Sequence, residues 1–83
     1  MGKEQFSTKD LNLAAAISVL AGVEPVLSVD HSGRVVFDFP PEDGIYKVVA
    51  EYHSAEASAS LLDYTEKLRS LRAAMFAKRG AVR

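Results

Sequence analysis

Two histidines are the only side chains in this chain whose ordinary pKa suits proton transfer near neutrality. His31 stands between Asp30 and Ser32 in "DHSG", a turn composition, and a catalytic role there would need a partner from elsewhere in the chain. His53 follows a helical stretch, where an imidazole can bond a terminal carbonyl or act as a cation. Asp30, Asp38, Glu42 and Asp43 form an acidic series, but their spacing matches no calcium loop and suits turns and a helix start. The absence of cysteine removes disulfides, thiolate zinc sites and cysteine nucleophiles together. The five glycines are scattered as punctuation and the serines sit in capping or linker contexts. Neither a phosphate loop nor a nucleophile elbow is present. These residues predict a protein that is not an enzyme, with no cofactor and no metal.

The chemistry that stands out is electrostatic. The segment "KLRSLRAAMFAKRGAVR", residues 67–83, holds six of the ten basic residues and no acid. Residues 1–66 carry four bases and eleven acids, a net −7. Such polarity marks either a surface for an acidic partner or cations placed at a helix C-terminus, where the dipole favours them. Lys67, Arg69, Arg72, Lys78, Arg79 and Arg83 are the candidate partner or phosphate contacts, and Tyr46 the candidate interface aromatic.

These groups must be positioned by a small number of elements. Residues 1–5 read as a loose leader. "FSTKDL" reads as a helix start, with Ser7 as N-cap, Asp10 three residues on, and Phe6 and Leu11 as a hydrophobic staple. That helix runs to about Ala21 and stops at Gly22, before Pro25. "VEPVLSV" and "RVVFDF" read as a hairpin joined by "DHSG", with Val35, Phe37 and Phe39 on the core face and Pro25 suiting an edge strand.

"PPEDG" opens a second helix whose Ile45, Val48, Val49 and Tyr52 follow helical spacing. "HSAEASAS" reads as a loop or a short third strand. A last helix runs from about Ser60, with Ser58 or Ser60 as its cap, to Arg79, and Gly80 ends it. Its stripe is Leu61, Tyr64, Leu68, Leu71 and Met75. Lys67, Arg72 and Arg79 flank that stripe; they either meet acids of a neighbouring helix, with Glu42, Asp43 and Glu51 of the second helix as candidates, or border a self-association surface or an acidic partner. The outward face carries Asp63, Glu66, Ser70, Ala73 and Ala77.

The chain reads as one small α+β domain, with residues 6–79 as folded core and 80–83 as a basic tail. A small antiparallel hairpin is covered on one face by three helices, in the order α-β-β-α-(β)-α. Apolar residues at 48 % and charged residues at 25 % suit an ordinary soluble globular protein rather than a disordered one. The longest apolar run, "LNLAAAISVLAGV", is about half the length of a membrane span. It also lacks the layout of a signal peptide, so the expected location is cytoplasmic.

Three stretches, "FSTKDLNLAAAISVLAG", "GRVVFDF" and "YHSAEASASLLDYTEKLRSLRAAMF", together resemble a family of small domains of unknown function found in bacteria and their phages. The resemblance covers residues 6–76 and rests on caps, turns and core positions. It implies the architecture and a mobile-element origin, and carries no activity. Family members tend to have a branched apolar residue before the last helix; Ala57 departs from this and weakens the case for a third strand there.

The expected function is therefore a non-enzymatic protein-binding accessory module, docking on an acidic macromolecular surface through the last helix, its basic end or the hairpin edge. The alternative is a weak, salt-sensitive nucleic-acid binder using the basic helix. A homodimer is left open. Like charges beside the stripe disfavour a parallel pair, so it would be antiparallel or use another surface.

Overall fold

The computed structural model describes residues 5–55 and 57–80. Its elements are β1 (Phe6–Thr8), α1 (Leu11–Ala21), β2 (Val26–Val29), β3 (Val35–Phe39), α2 (Asp43–His53) and α3 (Leu61–Gly80). The class is α+β: one antiparallel sheet in the order β1-β3-β2, with three helices.

The third strand lies at the front of the chain, not before the last helix. Phe6, Ser7 and Thr8 pair with Phe39, Asp38 and Phe37, so the segment read as a helix cap is an edge strand. The reason is period. Phe6 and Thr8 point to the core side while Ser7 points away, and β3 offers them an open edge. The cap is Asp10, whose Oδ1 accepts from Asn12 N at 2.9 Å and Leu13 N at 3.3 Å. Helix α1 therefore starts later than the cap at Ser7 predicted. Its end is as expected: Gly22 takes φ 68° and its N–H bonds Ser18 O at 3.1 Å.

The hairpin register pairs Leu27 with Phe37 and Val29 with Val35, which puts those four on one face. Phe37, Phe39, Ile17 and Ile45 are the largest fully buried side chains, each stabilising the fold by about 1.5–3 kcal/mol through burial. Leu13, Ala14, Ala15 and Ile17 of α1 join Val35, Phe37 and Phe39 of β3 in one cluster, with Ile45 and Val48 of α2 and Leu71 of α3. The alanines let α1 pack closely against both α2 and α3. On the other sheet face, Asp38 accepts from Ser7 Oγ at 2.6 Å and Ser28 Oγ at 2.8 Å, tying both edge strands to the central one.

The outermost parts of the sequence reading, residues 1–4 of the leader and 81–83 of the tail, lie outside the described residues. Among those described, no helix is long and apolar enough to cross a membrane.

Candidate interaction surface on the last helix

Helix α3 begins where Ser60 caps it, its Oγ accepting from Asp63 N at 3.4 Å. Leu71 is buried, and Tyr64, Leu68 and Met75 are partly buried against the core. Leu61, the expected first member of this stripe, is 81 % exposed. Leu61 lines the rim of an open concavity with Ala16 and Leu20 of α1, and Tyr64 bonds that helix directly, its hydroxyl donating to Asn12 O at 3.2 Å. Burial, then the neighbouring Tyr52 and Asp10, push that phenol above its ordinary pKa, so it stays a neutral donor.

The candidate pairing of the α3 bases with acids of α2 does not form. Helix α3 packs chiefly on α1 and β2, which keeps Glu42, Asp43 and Glu51 away from its arginines. Among the described residues Lys67 alone of these bases is ion-paired, with Glu24 of the link between α1 and β2. Its side chain is three-quarters covered, so it drops out of the set of available contacts. Arg69, Arg72, Lys78 and Arg79 are exposed and make no ion pair among the described residues. Arg83 lies outside the described residues.

The exposed arginines belong to a second stripe. Leu62, Thr65, Arg69, Arg72, Phe76 and Arg79 follow one another at alternating spacings of three and four, and all six are exposed. That spacing sets them in a row along one flank of the helix, beside the buried stripe and without a single acid. Phe76 is 57 % exposed and Leu62 66 %. The Arg79 guanidinium carbon lies 5.9 Å from the centroid of the Phe76 ring, a cation–π contact. Lys78 stands on the far side of the buried stripe. Asp63 and Glu66 line a shallow concavity with Lys67, Ser70 and Val19 of α1, and Glu66, three residues before Arg69, borders the arginine row.

The sequence reading missed Leu62, Thr65 and Phe76, and the second run of threes and fours is the signal that finds them. It also missed Arg34 and Lys9. The sheet brings both to the end of α3, where they share a concavity with Arg79. Tyr46 sits on α2, 38 % exposed, and takes no part in the stripe; Phe76 is the aromatic there.

The proton-transfer candidates gain nothing from the fold. His31 is exposed in the hairpin turn, and His53 is exposed at the end of α2 with its ring edge-on to Tyr52 at 5.7 Å. Among the described residues no three His, Asp or Glu side chains converge as a metal site. Compared with protein-family models, curated proteins and solved structures, the chain finds no match.

Proposed function

We propose that this domain is a non-enzymatic protein-binding module that docks an acidic, partly apolar partner segment along the exposed flank of α3. The observation that carries this is the composition of the stripe: three arginines share one row with the exposed Leu62 and Phe76, and no acid interrupts it. Arginine and aromatic residues are the types enriched where protein interfaces gain most of their energy. A partner helix or strand with carboxylates spaced against Arg69, Arg72 and Arg79 would match the charge, and an apolar residue between them would cover Phe76.

A second reading is weak nucleic-acid binding. It is favoured by Arg34 and Lys9, which extend the basic row past the helix end. A few phosphate contacts of this kind give salt-sensitive, sequence-independent association. The exposed Phe76 and Leu62 and the acidic remainder of the chain favour the protein. The absence of cysteine suits a cytoplasmic setting, and a bacterial or phage origin is what the family resemblance implies.

A photo-crosslinking amino acid at position 76, compared with one at exposed position 74 on the opposite flank, tests the docking reading in host cells. We expect a discrete protein adduct from position 76, none from 74, and loss of the adduct when Arg72→Glu is added. The cross-linked partner segment should carry Asp or Glu beside the modified residue. Equal adducts from both positions, or adducts only to nucleic acid, would contradict it.

A further inference from the structure

The hairpin turn and the end of α3 enclose a concavity of about 260 Å³, lined by Lys9, Gly33, Arg34, Val35, Met75 and Arg79. Its three cations come from three separate parts of the chain: the link between β1 and α1, the hairpin, and the last turn of α3. Val35 and Met75 form an apolar floor. Gly33, at φ 86°, leaves the turn backbone open, since a side chain added there would meet nothing within 4 Å.

One acid lies beside this group, and its oxygens are already occupied. Asp30 Oδ1 accepts from Ser32 N at 2.9 Å, Ser32 Oγ at 2.7 Å and Arg34 N at 3.0 Å. Asp30 Oδ2 takes the Lys9 ammonium at 2.7 Å. Asp30 thus fixes the turn and holds Lys9 at the rim. Neither arginine side chain is paired among the described residues. Three cations against one carboxylate leave the concavity with a net charge of +2.

We propose that this concavity binds a phosphate monoester dianion, carried on a phosphorylated side chain of the protein partner. The source of the phosphate rests on the docking reading above; the binding of phosphate itself does not. A monoester carries close to two negative charges near neutrality and matches the net +2. Two arginines and a lysine contributed by three parts of the chain suit the several oxygens of a phosphate, whereas a carboxylate is satisfied by one fork. A phosphodiester would bring only one charge per phosphate against the net +2.

The test is a proton–nitrogen NMR titration of the intact domain with phenyl phosphate, with acetate and with the dinucleotide TpT, at matched ionic strength. Phenyl phosphate should give saturable shifts at the amides of Gly33, Arg34 and Val35 and at the side-chain Nε of Arg79. Arg34→Gln and Arg79→Gln should each weaken binding by about tenfold, the loss of one charge-assisted contact. Lys47→Gln, at an exposed position of α2, should leave it unchanged. Shifts no larger than those from matched salt, or equal saturation by acetate or TpT, would overturn the site. Phenyl phosphate offers no partner surface, so that failure would leave docking on α3 standing. Phosphate binding retained in Phe76→Ala while an acidic peptide is lost would separate the two in the other direction.

Discussion

Arg79 lies over the ring of Phe76, 5.9 Å from its centroid, on a helix flank with no acid on it. The contact joins a cation to an exposed aromatic surface, and both residues are exposed. A cation placed only to complete a helix end needs no such neighbour, since the dipole term depends on position alone. This pairing is the reason to read the end of α3 as a recognition surface.

That reading separates stability from binding at position 76. Phe76 is 57 % exposed, so Phe76→Ala should change folding stability by less than about 0.5 kcal/mol. The same substitution should cost an acidic peptide partner about tenfold or more in affinity, as loss of an interface aromatic does. Chemical denaturation and peptide titration of the same sample check both halves.

The hairpin turn predicts an acid-side weakness. The Lys9 ammonium beside Asp30, with the Ser32 hydroxyl and the Arg34 backbone N–H, holds the Asp30 carboxyl well below the usual carboxylate range. In the unfolded chain an aspartate titrates at about 3.9. As pH falls below that value the unfolded state takes up a proton that folded Asp30 does not, so the stability it contributes is full above that pH and drains away below it. Asp30→Asn should flatten this acid limb in denaturation measured between about pH 6 and pH 2.5, a range bracketing the unfolded value. An unchanged limb would remove Asp30 as its source.

Two small substitutions should stabilise the fold. Ala55 follows α2 at φ 63°, a left-handed conformation that costs a residue with a Cβ about 1–2 kcal/mol. Ala55→Gly should recover about 1 kcal/mol of that, reduced by the greater freedom of glycine when unfolded.

Ser18 is 4 % exposed, and its hydroxyl has no hydrogen-bond partner among the described residues. Ser18→Ala should stabilise by about 1 kcal/mol by removing a buried unsatisfied group, while Phe37→Ala in the same core should cost about 3–5 kcal/mol. Thermal or denaturant unfolding of the three variants decides each sign.

Much of this architecture can be read along the chain. The hairpin, its core face and the positive-φ glycine at position 22 follow from alternation and turn chemistry. So do α2 and the buried side of α3. The opening strand cannot be read this way. "FST" before an acid has the pattern of a capped helix, and only the vacant edge of β3, far along the chain, makes it a strand. The same distance hid the concavity. Lys9, Arg34 and Arg79 look unrelated in sequence and meet because β1 and β2 flank β3 beneath the end of α3. The pairing of α3 with acids of α2 failed for a related reason: helix neighbours are set by how the alanine-rich α1 packs, which periodicity within α3 does not encode.

Fluorescence anisotropy tests the central claim most directly. A labelled amphipathic peptide with glutamates and leucines at helical spacing and a labelled oligonucleotide of equal charge are titrated with the domain at low and at physiological salt. The account predicts that peptide binding persists at physiological salt and is lost in Arg72→Glu and in Phe76→Ala. Oligonucleotide binding should appear only at low salt and be indifferent to Phe76→Ala. Oligonucleotide binding that survives physiological salt, with no peptide binding, would contradict the account and assign the arginine row to nucleic acid.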